Sequence, residues 1–319
     1  MKHPGLRLFV CKFLMRTLPS YPNENDPHLW EVFRTNHYLT GSAEHQKAVR
    51  YASSIACYEY EKNDEISLLK KYFSPRINAS ELEGKILLDL GCYTGGRLTA
   101  WKEKYKLKLA LGIDINPIFK MAGDEFLEKR NVSGIEFTTG YGEKLPYPDN
   151  SIDFIISTDV FEHVRDVETV MHECFRILKK GGKLAVVFPQ YSQPLEAHLG
   201  LVTKIPALHW CFRGKTINRA YRDIIRERMD ADWYAPEFPM RAWERLPSLN
   251  GITIRKFKNI LSRQKWSLID SKVRPILTDG RRSNSLFFKL VSATLTPFAY
   301  IPYLNEFFLG RVNYILTKG

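Results

Sequence analysis

Between Lys85 and Tyr191 short apolar runs alternate with helix-length amphipathic segments, and this alternation constrains the fold more than any other feature of the chain. ILLDL (86–90), LALGIDI (109–115), IEFTTG (135–140), IDFIIST (152–158) and KLAVVFP (183–189) read as strands. Pro117 to Lys129 and Val164 to Lys180 read as helices, the second stopped by Gly181 and Gly182. Parallel strands need long crossovers, so strands spaced by helices predict βαβ units and a parallel sheet. The stretch before Glu81 lacks strand signals, and Ser42 to Phe73 reads as one or two helices with Leu68, Leu69 and Tyr72 on an apolar stripe. Beyond the fifth strand the pattern breaks into aromatics, prolines and charges, then resumes with a helix over Thr253–Arg263 and strands at 266–273 and 311–317, the last expected as an antiparallel edge. The expected division is a helical extension (1–80), a core (81–190), a cap insertion (191–250) and a C-terminal part of the core sheet (251–319).

LLDLGCYTGG (87–96) ends the first strand in a glycine-rich turn that opens a helix. Gly91 and Gly95 let backbone approach a ligand, and the helix N-terminus after Gly96 offers unpaired N–H donors to a carboxylate. Asp89 can accept from the ammonium of an amino-acid-like ligand. Asp114 follows at the tip of the second strand, placed for the two hydroxyls of a ribose. A glycine-rich turn alone fits any dinucleotide-binding domain.

Five ordered stretches narrow the choice: LLDLGCYTGG, LGIDIN, GYGEKLPYPDNSIDFIIS, DVFEHV and FRILKKGGKLAVVFP. Together they resemble the class I S-adenosylmethionine-dependent methyltransferases, in the branch called type 11, closely over Gly84–Tyr191 and loosely from Asn250 to the end. The resemblance implies a Rossmann-like, doubly wound α/β fold: a mostly parallel seven-stranded sheet with an antiparallel last strand, plus N-terminal helices and a cap insertion. It implies S-adenosyl-L-methionine as cofactor, held by Asp89, Gly91, Tyr93, Gly95, Asp114, Ile115, Gly142, Glu143 and Asp159. Two positions depart from the family: Tyr93 replaces a glycine and is expected to fold over the cofactor, and Tyr141 replaces an acid, leaving Gly142 and Glu143 to read the adenine.

The implied reaction is methyl transfer to a small-molecule acceptor, with a hydroxyl the leading candidate and hence a need for a base. His198, at the start of the cap, and His163, in the turn after the fourth strand, are the candidates; for His163 packing against backbone is the alternative reading. Asp159, Glu162 and Tyr191 stand near the same strand ends. Trp210, Phe212, Trp233, Tyr234, Phe238 and Trp243 pack the cap or line an apolar pocket. Trp30, Phe33 and Tyr38 are candidates for closing over the cofactor. Cofactor binding without transfer is an alternative, motivated by Tyr93 and Tyr141.

A net charge of +12 asks for an anionic partner. Nucleic acid is disfavoured, because STDVFEHV stands where base-amino methyltransferases carry an Asn- or Asp-Pro-Pro-aromatic tetrapeptide, and acidic residues dilute the basic cluster at 219–230. Five scattered cysteines have no metal or redox spacing and no metal is expected. The longest uncharged run, 290–305, is interrupted by two prolines and is short and broken for a spanning helix. A soluble, cytoplasmic protein is expected. Core packing is the expected fate of the apolar N-terminus and of residues 286–308, with peripheral membrane contact the alternative.

Overall fold

The computed structural model describes residues 4–20, 43–62, 69–194, 199, 202–229, 249–278 and 286–319. His198, Trp30, Phe33, Tyr38, Leu68, Trp233, Tyr234, Phe238 and Trp243 lie outside these described residues. The elements run α1 (Pro4–Thr17), α2 (Ala43–Glu61), α3 (Ala79–Leu82), β1 (Ile86–Leu90), α4 (Gly96–Lys104), β2 (Leu109–Asp114), α5 (Pro117–Arg130), β3 (Ile135–Thr139), β4 (Ile152–Thr158), α6 (Val167–Ile177) and β5 (Leu178–Pro189). There follow α7 (Leu208–Cys211), α8 (Gly214–Met229), α9 (Ile254–Ser262), β6 (Trp266–Pro275), α10 (Leu286–Leu295), α11 (Asn305–Phe308) and β7 (Leu309–Lys318).

One seven-stranded sheet has the order β3-β2-β1-β4-β5-β7-β6. Pairings β1 with β2, β2 with β3, β1 with β4 and β4 with β5 are parallel. β7 runs antiparallel to β5, since Gln190 N–H reaches the Gly310 carbonyl while Thr317 Oγ1 reaches that of Gly182. The last strand is therefore antiparallel as expected but lies one place in from the edge, with β6 outside it. The helix expected to run to Lys180 ends at Ile177, and Gly181 and Gly182 belong to β5. The pairing of β4 and β5 is irregular there, between Ile152 and Phe154.

Contacts divide the chain into two units. The larger holds residues 26–187, 260–271 and 313–319. Its core gathers Leu87, Leu98, Trp101, Ala110, Phe137, Ile156 and Val187, all buried. Burying each large apolar side chain contributes about 1.5–3 kcal/mol, which is why strands buried on both faces read as continuous apolar runs. Asn116 caps α5 through its side chain, Pro117 sits in the first turn, and Asn131 ends the helix in a left-handed conformation. Asp166 caps α6 in the same way. α2 packs on α4 and α5. A Cβ on Gly96 would stand 1.9 Å from the Ala56 carbonyl oxygen, so only glycine admits so close a helix crossing.

The smaller unit holds residues 1–25, 188–259 and 272–312. α1 buries Cys11 and Met15 and packs on α8, where Lys12 bonds Asp223 and Glu227, each at 3.1 Å, and Arg16 pairs with Glu227. In α8, Ile217, Ala220, Tyr221 and Ile224 are buried at helical spacing. Some of the mixed charges at 219–230 thus form the polar side of an amphipathic helix.

Candidate active site

In the larger unit the chain leaves β1 outward to β2 and β3 and returns to β4 on the other side of β1. This reversal brings together the carboxyl ends of β1 and β4, where ligands of open α/β sheets bind. The β1 turn takes left-handed backbone at Gly91 (φ +79), Tyr93 (φ +53) and Gly95 (φ +80). Cβ atoms would fall 2.1 Å from Val160 at Gly91 and 2.2 Å from the Phe137 ring at Gly95. Both glycines are therefore required by backbone conformation and by space.

Tyr93 occupies a conformation a non-glycine residue rarely adopts. Its N–H donates to Asp114 Oδ2 at 3.1 Å. Its ring meets Phe119 edge-on at 4.4 Å and packs with Ile55 against the cluster joining α2 and α5. The ring thus lies in an apolar slot between α2 and α5.

Asp114 takes a second backbone donor, Asn116 N–H, at 3.1 Å on Oδ1. Burial pushes its carboxyl up to about 6, against the lowering effect of those amide bonds. Each carboxylate oxygen accepts more than one hydrogen bond, so capacity for two hydroxyls remains. Ile115 follows it, partly buried.

Asp89 has a partner within the chain. It is fully buried, and Arg97 forks it with Nε to Oδ2 at 3.1 Å and Nη2 to Oδ2 at 2.9 Å. Nη2 also reaches the Gly91 carbonyl at 3.3 Å. Two acceptors available to a ligand ammonium are thus held by a side chain of the chain itself. Desolvation raises the Asp89 carboxyl and Arg97 opposes the rise. Glu59 of α2 completes the group: its Oε2 accepts from the Thr94 hydroxyl at 2.9 Å, and burial raises its carboxyl while Arg97 lowers it. Two carboxylates around one guanidinium leave one negative charge when both are ionised, which suits an added ammonium. Sequence reading missed Arg97 and Glu59, since neither carries a motif signal and Glu59 stands far upstream of the glycine-rich turn, on a helix outside the βαβ pattern.

The loop after β3 places Gly142 in the interior, beneath Val170 and Leu90, and leaves Tyr141 half-exposed. Glu143 reaches the start of α6: its Oε1 accepts from Arg165 N–H at 2.7 Å and Asp166 N–H at 3.2 Å, holding the entry to that helix. That oxygen is committed to backbone rather than to a base. After β4, Asp159 is left-handed (φ +58) and its N–H bonds Val187. Glu162 is buried with Oε1 3.6 Å from His163 Nε2, and the imidazole is 26% exposed. In the smaller unit, Tyr191 meets His209 edge-on at 5.2 Å, and burial lowers the His209 imidazole from its ordinary value. His209 was not singled out in the sequence, where nothing marks it from its neighbours.

The fold and the β1 loop define a doubly wound α/β domain built for a nucleoside-bearing cofactor. The methyltransferase-domain family matches residues 88–186. A ubiquinone/menaquinone biosynthesis C-methyltransferase of Azotobacter vinelandii is 32% identical over 191 residues, 56% of this chain and 72% of that protein. A fatty-acid O-methyltransferase of Mycolicibacterium smegmatis is 28% identical over 104 residues, 32% and 36% of the two chains. Among solved structures, a phosphoethanolamine N-methyltransferase of Haemonchus contortus in complex with S-adenosyl-L-methionine has a TM-score of 0.48 at 13% identity, covering 88% of this chain and 61% of that one. The chain belongs to the class I S-adenosylmethionine-dependent methyltransferases. Its matches span less than half the length of several of the curated relatives it resembles.

Proposed function

We propose that this chain transfers the methyl group of S-adenosylmethionine to a hydroxyl of a small, apolar acceptor. The observation that carries the cofactor reading is the β1 loop with Asp114 at the tip of β2: two glycines that tolerate no Cβ, beside a partly buried carboxylate with acceptor capacity to spare. The bound cofactor supplies a methyl already activated on a sulfonium. Asp114 takes the ribose hydroxyls, the Gly91–Gly95 backbone admits the amino-acid end, and the Asp89–Arg97–Glu59 group sets the charge that this end meets.

A hydroxyl acceptor must lose a proton, and the His163–Glu162 pair after β4 is the candidate to hold it, Glu162 orienting the ring. His198 is the second candidate. The hydroxyl reading draws on relatives named as a fatty-acid O-methyltransferase and a probable tocopherol O-methyltransferase, while the ubiquinone/menaquinone relatives are named as C-methyltransferases. A second reading, cofactor binding without transfer, is favoured by one observation, the occupation of Asp89 and Gly91 by Arg97.

The test is calorimetric titration with S-adenosylmethionine and S-adenosylhomocysteine, followed by transfer of labelled methyl to phenolic, fatty-acid and nucleic-acid acceptors. Binding with label on the oxygen of an apolar acceptor supports the reading. Absence of binding overturns it, and binding with no acceptor labelled moves the assignment to the second reading.

A further inference from the structure

Residues 286–308, in the smaller unit, turn their large apolar side chains outward. Leu286 is 73% exposed, Tyr303 86%, and Phe287, Leu290 and Tyr300 are each more than half exposed. Among the described side chains of this stretch, the buried ones are Ser292, whose hydroxyl donates to the Ile276 carbonyl at 2.9 Å, and Ala299. Core packing, expected for this stretch, does not hold for these exposed side chains. A contiguous stretch of exposed leucine and aromatic residues marks an interaction surface.

The charges along the sequence bear on what covers it. Residues 286–311 carry Lys289 and Arg311 against one acid, Glu306, and Asp279, Arg281 and Arg282 precede them in the sequence. Glu306 is engaged by Arg255 N–H at 2.7 Å, at the start of α9. A second copy laid face to face would set basic residues against basic residues, which is repulsive. An anionic lipid surface offers the complement, with tyrosines suited to the headgroup level. α10 is short, Leu286–Leu295, and Pro297 and Pro302 follow it, so the segment can lie in an interface and not cross it. α1 of the same unit repeats the pattern independently. Leu6, Phe9 and Phe13 are exposed while Cys11 and Met15 are buried, and Lys12 and Arg16 are paired with Asp223 and Glu227 of α8.

We propose that residues 286–308 dock this protein on the surface of an anionic phospholipid membrane, the apolar side chains entering the headgroup boundary and the basic residues meeting lipid phosphates. The proposal is independent of the transfer chemistry. The test is flotation of the full chain with vesicles of phosphatidylcholine containing phosphatidylglycerol, and with phosphatidylcholine alone, beside a triple variant Leu286→Ser, Leu290→Ser, Tyr303→Ser. The wild type is expected to float with the anionic vesicles, and the variant to lose at least about tenfold in partition with its melting temperature and S-adenosylhomocysteine affinity unchanged. Failure of the wild type to float, or equal flotation of the variant, overturns the proposal. So does a wild-type dimer that the variant converts to monomer without vesicle binding, which would make a second copy the occupant. Cofactor affinity is read separately, so loss of the methyltransferase reading would leave the flotation result standing.

Discussion

Replacing Arg97 with leucine tests whether the buried charge group holds the cofactor loop. The guanidinium side chain is 12% exposed and Asp89 is fully buried, with contacts at 2.9–3.2 Å. Removing one partner of a buried pair leaves an uncompensated charge, at a cost of about 3–5 kcal/mol. For a domain of this size that is a melting-temperature drop of roughly 6–20 °C. The pH dependence gives a second reading of the same physics. Burial already raises the Asp89 carboxyl and Arg97 pulls it down, so its loss lets the folded-state value climb further above the unfolded one. A raised carboxyl penalises the fold above its folded pKa and not below its unfolded pKa. The deficit of the variant should therefore be largest near about pH 8 and shrink toward about pH 5. Asp89→Asn combined with Arg97→Leu removes the orphaned charge and should recover much of the loss. Thermal unfolding of Arg97→Leu, Asp89→Asn and the double variant at several pH values is the assay. A pH-independent loss below about 1 kcal/mol, or strict additivity in the double variant, would refute the reasoning.

Asp114→Ala should weaken S-adenosylhomocysteine binding by roughly 10- to 150-fold, since a charged acceptor contributes about 1.5–3 kcal/mol; unchanged affinity by calorimetry would remove Asp114 from the site. In the wild type, burial holds the Asp114 carboxyl at about 6, so the acceptor form is lost below that value and affinity should fall about tenfold by about pH 5. A flat profile there would show that the ionised form is not what binds. Gly96→Ala, whose Cβ would stand 1.9 Å from the Ala56 carbonyl, should cost about 1–3 kcal/mol by forcing α2 from α4, and an unchanged melting temperature would contradict that packing. His163→Gln should lower turnover about 10²-fold or more with cofactor affinity kept; full turnover would return His163 to a packing role and leave His198 as the candidate.

The sheet was legible because its signals are local. Strands buried on both faces show as apolar runs, the alternation fixes parallel crossovers, and a left-handed turn beside a close neighbour selects glycine at Gly91 and Gly95. The helix after β4 was legible in its apolar spacing but not at its end, because Gly181 and Gly182 serve the irregular pairing of β5 rather than a helix stop. The position of β7 was not legible either, since the order of neighbouring strands depends on which edges pair, and period-2 patterning is blind to that.

From the sequence alone came the fold class, the family, and the place of the cofactor loop, because backbone geometry and strand burial select residue types one position at a time. Tertiary structure alone decided what each side chain faces. Arg97 holds Asp89 and the Gly91 carbonyl, Glu59 comes from the upstream helix α2, the Tyr93 ring turns to Phe119, and Glu143 is spent on the entry to α6. It also decided that Leu286, Phe287, Leu290, Tyr300 and Tyr303 turn outward. An apolar sequence states only that its surface avoids water, and whether protein or membrane covers it depends on what the fold brings alongside.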